Sequence, residues 1–517
     1  MALLTSYLLT DLLILVATVL TSVYLYFQHR FRYWSKKNVA HTQPSFPLGD
    51  LKGMGTEHSI GPLFQNIYDK YKNHKVVGVW MMATPTLVVN DVNLVKNVLV
   101  KDFNHFHDRG FDVDEELEPL AGHLFTMNGQ KWRNLRIKLA PTFTSGRMKM
   151  MFPTMITVGE ELVRVLNESV GDPDGVEVRE MMGRYTTDVI ASCAFGIEVS
   201  SLKNPDSEFR KMSKALNTRT VIEILGMWLT FIFPQAIRIL RLHMIPKQVT
   251  KFFMAVVKDT MEYREKNDVK RNDFFQLLIQ LKNKGFVEDA DADADIGMDD
   301  RNTYDFTMEQ AAAQAFVFLV AGFETSSSTM QFALYEVALK PELQAKLQKE
   351  VDAVVKKYNG QLTYEGIQEM TLLDQTVAET LRKYPIAPVL LRECTKDYTI
   401  PETNIVIEKG TRVIIPTLGI QRDPDIYPEP ERFDPDRFSP EEKEKRDRYA
   451  YLPFGEGPRI CIGNRFGLTQ TKVGLALIFK NFNLVVCKKT PIPFSLDPKI
   501  DTLTPKETIY LKVEKRT

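Results

Sequence analysis

The chain has 517 residues, 44% of them hydrophobic and 26% charged, with 66 basic and 66 acidic side chains that cancel. This is an ordinary balance for a folded protein, and zero net charge gives no electrostatic reason to expect a nucleic-acid partner. Only four cysteines occur, Cys193, Cys394, Cys461 and Cys487, without CxxC spacing, which fits a reducing compartment and excludes a disulfide framework and structural zinc.

Residues 2–27 are apolar almost without interruption, and Asp11 is the only charged side chain among them. About 20 apolar residues cross the hydrocarbon core of a bilayer, so residues 1–29 read as a membrane anchor. No basic side chain precedes the stretch, whereas Arg30, Arg32, Lys36 and Lys37 follow it. The positive-inside rule then predicts a cytosolic body and a luminal N-terminus. A cleaved signal peptide would instead want a basic leading region and a shorter apolar core. Tyr33 and Trp34 suit an interfacial position. Residues 30–50, with Pro44 and Pro47, read as a basic, stiff linker. Residues 51–517 then form the main body. Its length would hold two or three average domains, although single domains of this size exist.

Val76–Trp80 and Thr86–Val89 read as two short strands around Thr84-Pro85. From Asp91 to Pro385 helical periodicity dominates, with short breaks. Strand-like runs return at 411–416 and near 508–511. The expected fold class is mainly α with a minor β portion. Alternating aspartates at 289–295 invite a calcium reading. An EF-hand loop starting at Asp289 would need glycine where Ala294 stands and glutamate where Asp300 stands, so a solvated acidic loop is the better reading.

Thr307-Met308-Glu309-Gln310 fits a capping box opening a helix with no obvious break before Lys340-Pro341. Its middle, Phe318 to Thr329, holds Gly322, Glu324, Thr325 and Ser326-Ser327-Ser328, residues that weaken an apolar helix. Ala321 and Thr325 share a face, with Phe318 and Gly322 close to it. Small residues there admit a close ligand, and Thr325 can divert its hydroxyl from the backbone ladder and open a groove. Glu379 and Arg382 stand three apart on one helical face, which alone means little.

The most informative stretch is Phe454-Gly455-Glu456-Gly457-Pro458-Arg459-Ile460-Cys461-Ile462-Gly463. Three glycines let the backbone turn sharply against a flat ligand. The apolar run from Leu468 to Phe479 reads as a buried helix, so Cys461 lies near a helix N-terminus that favours a thiolate. A sulfur anion against a planar surface suits a haem iron. All eight histidines lie at or before His243, so no histidine rivals Cys461 in the C-terminal half.

Phe-Gly-x-Gly-x-Arg-x-Cys-x-Gly resembles the haem-binding loop of cytochrome P450, and Ala321-Gly322-Phe323-Glu324-Thr325 resembles that family's oxygen-activating motif. The likeness runs from the anchor to the final strands and is closest to insect microsomal members that oxidise xenobiotics. It implies the cytochrome P450 fold, haem b ligated by Cys461 and flanked by Phe454, and a monooxygenase that inserts one atom of dioxygen into lipophilic substrates. Such substrates are xenobiotics, insecticides, plant toxins, hormones or steroids. Thr325 and Glu324 would deliver protons to dioxygen. Trp132, Arg136, Arg392 and Arg459 would hold the haem propionates, with Arg109 a weaker candidate. Glu379, Arg382 and Arg437 would form a structural trio, Arg432 being the lesser choice for its third member.

No Gly-x-Gly-x-x-Gly opens a strand–helix unit, so electrons must come from a separate protein. The resemblance implies an NADPH–cytochrome reductase, with cytochrome b5 as a further donor, and a place in the endoplasmic reticulum (microsomal) membrane facing the cytosol. Segments 103–125, 221–246 and 386–391 are expected to wall an apolar pocket, and 221–233 is apolar enough to touch the membrane. Two other classes stay open: a haem-thiolate isomerase or dehydratase, against which Glu324-Thr325 speaks, and a non-catalytic haem-binding protein.

Overall fold

The computed structural model describes residues 8–215, 243, 245–286 and 306–516. The acidic loop at 289–295, and nearly all of segment 221–246, lie outside the described residues. The apolar N-terminal stretch forms helix α1 (Leu8–Arg30), whose large side chains from Leu9 to Tyr26 face outward. It is the one helix among the described residues long and apolar enough to cross a membrane.

Residues 30–50 differ from a free linker. Trp34, expected at an interface, is 1% exposed; its Nε1–H donates to the Val79 carbonyl at 3.1 Å. The ring lies where a Cβ on Gly78 would meet it at 2.3 Å, so only glycine fits there. Gly78 donates to Ala40 and Thr42 donates back to Gly78, so this segment runs along the sheet edge. One buried ring and a backbone register tie the segment to the sheet.

That sheet has the order β1 (Val76–Met81), β2 (Thr84–Val89), β4 (Arg412–Ile415), β3 (Leu390–Glu393). β1 and β2 form a hairpin through Met82-Ala83. Pro85 is inside β2, opposite Trp80, rather than at the turn. β2 runs parallel to β4, and β3 antiparallel to it. A second sheet joins Val176–Glu177, β6 (Tyr510–Lys515) and β5 (Phe482–Val486).

The helical body is built around α4 (Met308–Ala338). At 1.5 Å per residue its 31 residues span about 46 Å. The capping box is formed: Gln310 N–H donates to Thr307 Oγ1 at 3.2 Å, and the Gln310 side chain accepts from Thr307 N–H. Two helices grip its middle. From α3 (Val178–Ile190), Ile190 packs where a Cβ on Gly322 would come within 2.5 Å. From α6 (Asn464–Asn481), Gln470 Nε2 donates to the Gly322 carbonyl at 2.8 Å. Gly322 therefore serves helix packing, not the approach of a ligand.

Below the body, α5 (Thr371–Lys383) carries the charge lock. Arg382 donates Nε and Nη2 to the two oxygens of Glu379 at 2.7 and 2.8 Å, and neither side chain is exposed. Arg382 also donates to the carbonyls of Gln421 and Pro430, and Asp434 N–H donates to Glu379. Arg437 approaches Glu379 at 3.6 Å. Arg432 is mostly exposed and pairs with Glu429 and Asp434, so Arg437 is the third member.

Candidate haem-thiolate site

The loop before α6 is shaped by two of its three glycines. Gly455 and Gly457 have φ of 69° and 75°, where a side chain is strained. A Cβ on Gly457 would also stand 1.9 Å from the Leu99 carbonyl. Gly463 meets neither condition, with φ −89° and open space around it. The turn brings Cys461 N–H onto the Phe454 carbonyl at 2.9 Å, closing the loop on the residue that opens it.

Cys461 has accessible surface, yet the protein surrounds it closely enough that burial pushes its thiol up. Such a side chain faces an internal cleft. A hydrogen bond with the Gly463 backbone and the charges of Arg136 and Arg109 oppose the rise but do not cancel it. The helix N-terminus alone therefore does not yield the thiolate that the loop sequence suggests. A bound metal cation would, since coordination deprotonates a thiol outright.

The other candidate residues lie in the middle of α4. Residues 311–316 and 326–338 are buried, but Val320 is 39% exposed and Ala321 is exposed beside it. Accessible surface in the middle of a core helix marks a place where a ligand can reach it. The helix stays α-helical throughout, so no groove breaks it. The Thr325 hydroxyl instead donates to the Ala321 carbonyl at 2.5 Å, the back-bonding common for threonine in helices. Glu324 points to α3, where Arg179 Nη2 donates to its Oε1 at 2.6 Å.

Arginines crowd the remaining side. Arg459 is pinned: Nε donates to the His107 carbonyl at 2.8 Å, Nη2 to Met127 at 2.8 Å, and the guanidinium lies over the Trp132 ring at 3.9 Å. Trp132, on α2 (Gly129–Leu139), is thus the platform for Arg459. Arg109 donates to the carbonyls of Phe125 and Arg459. Arg392, on β3, spends Nη1 on its neighbour's carbonyl, and its Nε is buried without a partner. Arg136, also on α2, feels Cys461 directly.

Burial pushes the guanidinium of Arg109 down to about 10, of Arg392 to about 9 and of Arg459 to about 8, and each is pressed further by another arginine of the group. Arg136 is lowered by burial too. Guanidinium does not give up its proton in a protein, so the depression measures an unmet demand for negative charge. Asp108, 3.4 Å from Arg459, supplies some. Four cations beside one cysteine fit a planar group bearing two carboxylates and a thiolate-seeking metal, as haem b does.

Some members of this site carried little sequence signal. Asp108 and Arg179 sit among other charged residues in their segments and are recognised only by what they meet in space. Gln314 could have been noticed as an amide in an apolar run. Its Oε1 accepts from Leu124 N–H at 3.1 Å and holds the 119–127 loop against α4. Of the expected pocket walls, Phe111 and the half-exposed Phe125 lie 5.5 Å apart in the first segment, while Val389, Leu390 and Leu391 are partly buried in the third.

Residues 42–513 match the family model of cytochrome P450. Among curated proteins, the probable cytochrome P450 6a14 of Drosophila melanogaster is 43% identical over 507 residues, covering 97% of this chain and 99% of that protein. Cytochrome P450 6a2 of the same fly is 44% identical over 510 residues, with 97% and 99% coverage. Cytochrome P450 6A1 of Musca domestica is 41% identical over 502 residues, with 96% of each chain covered.

Proposed function

The chain belongs to the cytochrome P450 family, and on that premise we propose which of its residues run the monooxygenase and what it oxidises. The protein is a haem b enzyme that uses electrons from NADPH and molecular oxygen. Bound haem supplies the iron chemistry that activates dioxygen and transfers one oxygen atom.

Cys461 holds the iron, and its N–H bond to Phe454 fixes the loop that presents it. Arg109, Arg136, Arg392 and Arg459 hold the two propionates, for which Arg392 Nε is a free donor aimed into the protein. Trp132 holds the Arg459 guanidinium in place from one face. Val320 and Ala321 exclude water over the reacting face and set how close a substrate comes. Thr325 holds a proton at Oγ1. Glu324 passes protons toward it from the Arg179 side, which is partly open to solvent.

Substrates are lipophilic: xenobiotics, insecticides and plant toxins, with hormones or steroids as the endogenous counterpart. The apolar surface of Val320, Ala321, Phe111 and Phe125 supports this reading, because such walls hold apolar ligands by area and few polar contacts. Electrons arrive from an NADPH–cytochrome reductase, with cytochrome b5 as an additional donor. Helix α1 anchors the enzyme in the endoplasmic reticulum membrane, with the body on the cytosolic side.

The observation that supports this reading is the arginine group gathered around Cys461, together with the exposed turn at Val320 and Ala321 in an otherwise buried helix. The test is turnover of a lipophilic panel with reductase, NADPH and isotopically labelled dioxygen. One labelled oxygen atom in the product is expected. A product without it would indicate isomerase or dehydratase chemistry, and no product from any compound would indicate a haem-binding protein.

A further inference from the structure

The joint between α1 and the body is built like a clamp. Large side chains from Leu9 to Tyr26 are exposed, but Phe27 is only 6% exposed. Its ring meets Phe31 at 5.7 Å and Phe46 at 5.1 Å. Phe46 also meets Tyr24 at 5.5 Å, and Phe31 meets Trp80 of β1 at 5.9 Å. Two hydrogen bonds close the same joint. Trp80 Nε1–H donates to the Arg30 carbonyl at 3.0 Å, and Arg30 Nε–H donates to the Ala83 carbonyl at 3.2 Å.

Trp80 is fully buried in the sheet, so the helix end is tied to a rigid element. Swivelling α1 would break both hydrogen bonds and part the rings. Phe46 is different from Phe27: it covers the span with one edge and keeps 48% of its surface outward. An exposed apolar ring held beside a membrane span gains by burying its area in the headgroup–acyl boundary. The 23 residues of α1 measure about 35 Å against a hydrocarbon core of about 30 Å, which puts Tyr24 to Arg30 at that level.

We propose that α1 and the catalytic body are one rigid unit, with the Phe46 turn lying in the interfacial layer of the bilayer as a second membrane contact beside the span. This rests on the reading of α1 as a membrane span. The body is then held at one tilt and depth, so the surface offered to lipid-dissolved substrates is fixed by Phe27, Phe46 and Trp80. A flexible linker over 30–50 would instead let the body wander.

The test uses the full chain in phosphatidylcholine vesicles, with Cys487→Ser to remove the half-buried thiol. Paired nitroxides at Val16→Cys and Glu57→Cys report the joint, and a nitroxide at Phe46→Cys reports depth. A narrow distance distribution is expected, with the label at 46 reached by oxygen more readily than by a water-soluble nickel complex. Phe27→Ala should broaden the distribution. A flexible 21-residue linker would spread it over about 25 Å, and that result in the parent chain overturns the clamp. A label at 46 freely reached by nickel overturns the membrane contact. Failure of the chain to float with vesicles would remove the span itself, an outcome separate from both.

Discussion

Glu379 and Arg382 are buried with their charges matched, whereas Arg392 and Arg459 are buried, and Arg109 and Arg136 half-buried, with theirs in surplus. In the first group every strong donor of Arg382 has an oxygen, two from Glu379 and two from backbone carbonyls. In the second, Asp108 is the carboxylate in salt-bridge range of Arg459, and the Nε of Arg392 has no partner. Both groups lie in the same body and are built from the same residue type. Matched charge holds a protein together by itself, and surplus charge waits for a ligand.

Breaking the matched group should have the largest effect. Glu379→Ala leaves Arg382 buried without its acid, which costs about 3–5 kcal/mol. Urea unfolding should show that loss, and little folded protein is expected at 37 °C. An equally large loss from removing a surplus arginine would erase the distinction.

Adding to the surplus is the next test. His123 lies beside Arg109, and burial, then the Arg109 charge, pushes its imidazole down to about 4. The folded form therefore binds fewer protons than the unfolded chain between pH 4 and 6.5. Stability is full above about 6.5 and falls as the pH drops toward 4, by at most about 3 kcal/mol. Unfolding measured across that range should show the slope, and His123→Gln should flatten it.

Subtracting from the surplus reverses the sign. Arg392→Leu should stabilise the cofactor-free protein by about 1 kcal/mol, since an unpaired buried cation is removed. The same change should weaken haem retention about tenfold, the loss of one charge-assisted contact. Thermal unfolding with and without haem reads both. The smallest stability effect is expected at Thr325→Ala, under about 1 kcal/mol, because its hydroxyl bonds only its own helix. Its signature is functional: NADPH is consumed with less oxygenated product and more peroxide. Unchanged coupling would make Thr325 a packing residue.

Local chemistry explains which parts were legible in the sequence. The capping box at Thr307, the pair Glu379–Arg382 and the loop around Cys461 each lie within a few residues, so their spacing reads directly. Gly322 was visible as part of a motif, but its packing against Ile190 depends on a residue far away in the chain. The fold of residues 30–50 was hidden for the same reason, because Trp34 reveals its role only when β1 is beside it, and Phe46 only when the end of α1 is. Arg179 and Asp108 show the limit most clearly: each has charged neighbours in sequence, but the partner that matters lies far along the chain, at Glu324 and Arg459. The thiolate expected from the helix N-terminus was outweighed by burial, which no local sequence pattern displays.

The central claim, that the surplus arginines await two carboxylates, is tested most directly by adding haem and haem dimethyl ester to the cofactor-free protein. The ester has the same ring and iron without the two negative charges. The account predicts that the parent chain binds haem at least tenfold more tightly than the ester, and that Arg392→Leu narrows this gap. Equal affinity for haem and ester in the parent chain would contradict it.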